Sequence, residues 1–294
     1  MDTASLQTIP FCQASDPNPR QPRFKAPEGT TDTHFHTLGP AATYPYVAER
    51  EYTPPDALPA ACRHLFDTVG IQRAVFVQPS VYGSDNRRME AAARQIGLPA
   101  HMVVVVPFDT EDKELQRLND AGARAVRFIL AHVGGLPLAD LERFSQRIRH
   151  LGWHIQFLLR PLHLIELEER LATLGTDIVI DHVGLIRPAE GGVAQPAFQA
   201  LLRLFRKGHC WVKLSGAYRF SSMPPPYRDA IPLVEALTNE RPDRILWGSD
   251  WPHVMVKGEM PNTTDLFDML LEWVPNEALR RKILVDNPKA LFGF

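Results

Sequence analysis

Short apolar runs recur along the chain, separated by longer amphipathic stretches. Eight of the runs are rich in β-branched and aromatic residues: 30–38 (TTDTHFHTL), 74–80 (AVFVQPS), 102–108 (MVVVVPF), 123–130 (ARAVRFIL), 154–160 (HIQFLLR), 177–184 (DIVIDHVG), 210–218 (CWVKLSGAY) and 244–253 (RILWGSDWPH). Most are almost continuously apolar, the pattern of strands covered on both faces. Between them the period lengthens to that of a helix. In 139–152, Leu141, Phe144, Ile148 and Leu151 share one face and Gly152 supplies a stop. The stretches 163–175 and 198–208 repeat the pattern and also end on glycine, and 262–274 and 276–285 close the chain.

Strands alternating with helices predict a parallel sheet. Eight such units favour a closed (β/α)8 barrel, the TIM-barrel fold, over a doubly wound sheet. A doubly wound nucleotide fold would also place a glycine-rich turn after its first strand, whereas the first run here ends in HTLGPAA. A barrel of this kind typically needs about 250 residues, so residues 29–294 read as one domain. Residues 1–28 are rich in Pro, Ser, Asn, Gln and charge. They read as an irregular arm whose composition favours disorder, with wrapping onto the barrel or a neighbouring subunit as the alternative.

Composition narrows the partners. A formal net charge of −2 over 294 residues argues against a nucleic-acid binder. No apolar run approaches the roughly 18 residues of a membrane span, and the first residues lack the basic and apolar regions of a secretory signal. Cys12, Cys62 and Cys210 are scattered, with no CxxC pair, which fits reduced thiols in a cytoplasmic protein. The sequence carries no sign of its oligomeric state.

Barrel active sites lie at the C-terminal ends of the strands, and polar residues cluster there. Asp32, His34 and His36 alternate along the first run and share one face. Gln78 and Ser80 end the second run, Arg127 lies in the fourth and Gln156 in the fifth. Asp181 and His182 end the sixth, Lys213 lies in the seventh with Arg219 just beyond, and Asp250 and His253 end the eighth. An arginine or lysine inside a buried strand needs a partner. For Arg127 and Lys213 that partner is either an internal carboxylate (Asp32 or Asp181) or an anionic ligand. Arg219 is either a solvated loop residue or a ligand clamp.

HxH on the first strand, DHxG on the sixth and GSDWPH on the eighth, in that order, resemble the amidohydrolase superfamily. The likeness is to its amidohydrolase-2 group, which holds the 2-pyrone-4,6-dicarboxylate lactonases of aromatic catabolism and the sugar-acid lactonases. It runs from Thr31 to Leu291 through DTHFHTLGPAATYPY, VFVQPSVYGSDN, ARAVRF, VIDHVG, KLSGAYR, ILWGSDWPH and ILVDNPKALF. The resemblance implies a hydrolase that opens a carboxylated lactone. Asp250 would activate water, His34, His36 and His182 would polarise the carbonyl, and Arg127 and Arg219 would hold carboxylates. Ser80, His253, Tyr46 (or Tyr44) and Gln156 would complete the substrate site. His132 stands where those lactonases have a further basic residue, and Gln156 where they have a tyrosine. Both departures bear on which lactone is used. The alternatives are a sugar-acid lactonase, a lactone isomerase, a zinc-dependent decarboxylase of the same superfamily, or a barrel that binds small acids without reacting.

Binuclear members of the superfamily use a lysine on strand 4 and a histidine on strand 5. Neither is present here, since His154 falls at the wrong end of its run, so a two-metal site is not expected. One Zn²⁺ on His34, His36, His182 and Asp250 remains the alternative to a metal-free site. An activated ester with a base and well-placed donors can do without a Lewis acid, and no required metal is the expectation.

Overall fold

The computed structural model describes residues 9–132 and 135–294. Eight parallel strands follow one another around the barrel in chain order. They are β1 (Thr31–Phe35), β2 (Arg73–Val77), β3 (Ala100–Val104), β4 (Ala123–Ile129), β5 (His154–Leu158), β6 (Ile178–Ile180), β7 (Cys210–Leu214) and β8 (Ile245–Trp247). All eight runs of the sequence are strands, and the (β/α)8 expectation holds. Inward-facing Val75, Val77, Val103, Ala125, Val179, Trp211 and Leu246 fill the barrel with Phe292 against them. The larger apolar core lies between the strands and the helices outside them, so each strand is buried on both faces.

All eight strands end before the upper limits of their runs, and after three of them the backbone turns left-handed. After β6, His182, Val183 and Gly184 have φ of 51°, 51° and 67°; after β7, Gly216 has 58°; after β8, Asp250 has 61°. Such values cost non-glycine residues about 1–3 kcal/mol each. They bend the chain inward just where the polar residues begin.

Between β1 and β8 closure relies on a few specific bonds. Thr33 Oγ1 donates to Trp247 O at 2.7 Å, Asp250 N to His34 O at 2.8 Å, and His36 N to Trp251 O at 2.8 Å. Asp32 Oδ1 accepts from the amides of both His34 and Ser249 at 3.0 Å, and burial pushes its carboxyl up to about 7. Gly248 permits this approach: a Cβ there would meet His34 Cβ at 2.6 Å and His34 N at 2.8 Å. Gly248→Ala should therefore destabilise the barrel by about 1–3 kcal/mol, as overpacking does, and weaken turnover. A urea melt of the variant indistinguishable from that of the parent would refute the close-packing argument.

Helices match the sequence reading with shifts at their ends. The 163–175 stretch is two pieces, Pro161–Glu166 and Glu168–Ala172. In the last stretch Glu277–Arg281 passes into a π turn over Lys282–Asp286, just before Pro288, which cannot donate to Leu284 O. Further helices, such as Pro59–Val69 and Ile231–Glu240, fill the remaining gaps. No helix of the described residues is long and apolar enough to cross a membrane.

Residues 9–28 are irregular but fastened, so the disorder favoured by composition does not describe them. Arg20 pairs with Asp265 at 2.8 Å, the Arg23 amide donates to Asp268 at 2.8 Å, and Phe24 stacks on Phe267. Farther out, Gln13 Nε2 donates to Gly258 O at 3.0 Å and the Met255 amide to Cys12 Sγ at 3.4 Å. Residues 1–8 lie outside the described residues.

Candidate active site

Alternation along β1 and the turns after β6 and β8 bring three imidazoles to one carboxylate oxygen. The Nε2 atoms of His34, His36 and His182 lie 3.7, 3.7 and 3.9 Å from Asp250 Oδ1. That oxygen and His34 Nε2 are buried with no hydrogen-bond partner. Asp250 Oδ2 is held firmly, by the Tyr218 hydroxyl at 2.6 Å and Arg219 Nε at 2.7 Å. Burial alone would raise the Asp250 carboxyl, but the Arg219 guanidinium beside it outweighs this and holds it well below the usual carboxylate range. Gly216 makes room for this clamp: a Cβ would meet His182 Nδ1 at 2.8 Å and Asp250 Oδ2 at 3.0 Å.

The proton positions on the imidazoles follow from their second nitrogens. His36 Nδ1 lies 2.7 Å from Val77 O, which can only accept, so Nδ1 carries the proton. His34 Nδ1 lies nearest to Asp181 Oδ1, at 3.1 Å, with Gln156 Nε2 and Lys213 Nζ farther off at 3.4 Å, and the closer carboxylate oxygen places the proton on Nδ1. Burial lowers His34 well below its usual value and His36 to about 3, so both rings are neutral. Their Nε2 atoms are therefore bare lone pairs and cannot donate to a carbonyl. His182 differs: its Nδ1 meets Ser215 Oγ at 2.8 Å, and a hydroxyl can donate or accept. Only His182 can be neutral and still present an Nε2–H.

Beneath the imidazoles lies a buried ionic network centred on Asp181. It accepts from Arg127 Nη2 and Gln156 Nε2 at 3.1 Å each, and Lys213 Nζ stands 3.7 Å away. Lys213 also donates to Thr33 O and Gln156 Oε1 at 2.7 Å. Burial would raise Asp181, but the charges of Lys213 and Arg127 and the hydrogen bond from His34 Nδ1 hold it well below its usual range. Burial brings Lys213 down to about 8, against the opposing pull of Asp181.

A cavity of about 620 Å³ opens above this floor, reached by His36, Ser80, Arg127, His182, Arg219 and Asp250. Three expected substrate residues are not on its wall. Gln156 is sealed beneath, bonded to Lys213 and Asp181. His253 stands behind Tyr218, with Nδ1 3.3 Å from its hydroxyl and Nε2 2.8 Å from Thr263 Oγ1. Tyr46 packs on Tyr82; the tyrosines on the wall are Tyr52 and Tyr218. Arg127 and Arg219 reach the cavity but answer internal carboxylates. Tyr218 was overlooked in the sequence although KLSGAYR contains it, because an aromatic at a strand end reads equally well as core.

The donor set fits a metal ion. His34, His36 and Asp250 bring one ligand atom each within 4.8 Å of one another, and His34, Asp181 and His182 form a second such trio. His182, the fourth member of the quartet expected from sequence, falls in the second trio, with its Nε2 3.9 Å from Asp250 Oδ1.

The fold and this floor define an amidohydrolase-type barrel. The amidohydrolase family profile matches residues 31–294, and the chain belongs to that family. It is 39% identical to a 4-sulfomuconolactone hydrolase of Hydrogenophaga intermedia, over 100% of this chain and 98% of the relative. It is 38% identical to a 2-pyrone-4,6-dicarboxylate hydrolase of Comamonas testosteroni, over 94% and 93%. A solved structure from Acinetobacter baumannii, described as a probable 2-pyrone-4,6-dicarboxylic acid hydrolase with citric acid bound, superposes with a TM-score of 0.79. It is 28% identical, over 90% of this chain and 100% of that one.

Proposed function

We propose that the protein hydrolyses an anionic ring lactone of the 2-pyrone-4,6-dicarboxylate kind, with Asp250 as the base. The observation that carries this is the asymmetry of Asp250: one oxygen clamped, the other bare and facing the cavity floor. The two relatives named as hydrolases of a sulfomuconolactone and a pyrone dicarboxylate support the substrate class.

In the reaction, water beside Asp250 Oδ1 gives up a proton to it as the water oxygen bonds to the lactone carbonyl carbon. The carbonyl oxygen gains the electron pair and accepts a hydrogen bond from His182 Nε2–H. Collapse breaks the bond to the ring oxygen, which takes the proton back from Asp250, leaving an open-chain acid.

Two features favour the metal-assisted alternative over the metal-free one. A carboxylate held so far below its usual range is a weak base on its own. Secondly, His34 and His36 offer lone pairs where a metal-free site would need protons. His34 Nε2, His36 Nε2 and Asp250 Oδ1 would hold one divalent cation such as Zn²⁺. When bound, it would make water more acidic and polarise a carbonyl. His182 is then free for the substrate.

The test is ring opening of 2-pyrone-4,6-dicarboxylate, followed by its ultraviolet absorbance, alongside metal content by plasma mass spectrometry. Chelator-stripped protein should lose at least about 10²-fold in kcat and recover with one equivalent of Zn²⁺. Full turnover by metal-free protein would remove the cation and keep the lactonase. No turnover in either state would remove the lactonase itself.

A further inference from the structure

Five cationic side chains reach the cavity wall: Arg127, Arg160, Arg187, Arg219 and Lys257. An anionic substrate is gripped by positive charge that the protein has not already neutralised. Arg127 faces Asp181 at 3.1 Å and donates to Gln78 O at 2.7 Å. Arg219 faces Asp250 at 2.7 Å, and Arg187 reaches Glu190 at 3.5 Å. Among the described residues, no carboxylate oxygen lies within 4.0 Å of the charged head of Arg160 or Lys257. Lys257 is exposed, and among the described residues no hydrogen bond fixes its head.

Arg160 is fixed. Its Nη2 donates to Ala131 O at 2.8 Å, and its amide to His163 Nδ1 at 3.2 Å. The guanidinium thus bridges the ends of β4 and β5, with Nε and Nη1 left for an outside acceptor. Its height above the floor follows from register. Arg127 pairs across the sheet with Gln156, and Ile129 with Leu158. Every second residue of an extended segment shares a face, and Arg160, two residues beyond the end of β5 at Leu158, is itself extended, with φ −95° and ψ 160°. Four residues separate the Gln156 and Arg160 levels, about 13 Å along the strand. The level between is apolar, made by Ile129 and Leu158 with Leu185 packed against them, and all three line the cavity.

The wall therefore reads, from the floor upward, as reacting groups, an apolar strip, and a held guanidinium. Apolar side chains suit the face of an unsaturated ring and give a hydroxylated one no hydrogen bonds. We infer that Arg160 anchors an anionic substituent of the substrate on the side away from the reacting ester, and so sets the preference for doubly charged lactones. This rests on the lactonase reading for its substrate, not for its geometry.

The test measures binding by calorimetry, which needs no turnover. Two probes are used, 2-pyrone-4,6-dicarboxylate and 2-pyrone-6-carboxylate, against the parent protein, Arg160→Met and Arg160→Lys. The parent should prefer the dicarboxylate. Arg160→Met should cut that preference at least about tenfold, the scale of a charge-assisted bond, and Arg160→Lys should keep part of it. A merely structural role would weaken both probes alike and leave the ratio unchanged, which overturns the inference. So does a parent protein with no preference for the dicarboxylate. If the parent binds the dicarboxylate but never opens it, the lactonase reading fails while the ratio still decides the role of Arg160.

Discussion

Asp250→Asn should lower kcat for lactone opening by about 10²- to 10⁴-fold, the usual contribution of a general base. The loss should not be confined to the chemistry. Asp250 answers Arg219 at 2.7 Å and Tyr218 at 2.6 Å, and an amide cannot balance the guanidinium. Breaking a fully buried pair costs about 3–5 kcal/mol. Here the cost should be smaller, because the Arg219 side chain keeps 16% of its exposure and can turn toward the cavity. The variant should thus be folded by circular dichroism, with a lowered Tm and almost no turnover. Retained turnover in that folded variant would exclude Asp250 as the base, and an unchanged Tm would mean that the Arg219 pair contributes little.

The second large effect lies one level deeper. Asp181 is the only carboxylate among the described residues within 4.0 Å of either Arg127 or Lys213, and Asp181 and Lys213 are fully buried. Asp181→Asn strands both cations in the barrel interior and should destabilise the fold by about 3–5 kcal/mol. It also removes the acceptor that fixes the His34 proton on Nδ1, so kcat should fall as well. Adding Lys213→Met removes one stranded charge, and the double variant should regain part of the stability lost. Urea denaturation of the two variants decides this. A loss under about 1 kcal/mol for Asp181→Asn, or a double variant weaker than the single one, would contradict the network as described.

Much of the barrel was legible because a parallel strand buried on both faces leaves an almost unbroken apolar run. The lower ends of those runs are accurate. Their upper ends overrun the strands, and after β6, β7 and β8 this is because left-handed turns at His182, Gly216 and Asp250 are backbone events with no period to betray them. At the site, strand-end position found the residues of the floor but could not say which partners they take. Arg127 and Arg219 looked free to hold substrate, yet their carboxylates come from strands far away in sequence. Arg160 went unnoticed for the opposite reason: as the last residue of its run, next to Pro161, it looked like the start of a loop. Tyr46 and Tyr52 both lie in an aperiodic segment after β1, and nothing local says which of them folds back over the cavity.

The left-handed residues after β6 bear on how such a protein would change under selection. His182, Val183 and Leu185 each hold a conformation that glycine or asparagine adopts more easily. Replacing His182 by asparagine would relax its backbone while removing the group proposed to receive the carbonyl oxygen. A library screened for heat resistance alone should therefore accumulate substitutions beside the cavity, and its sturdiest members should be poor catalysts.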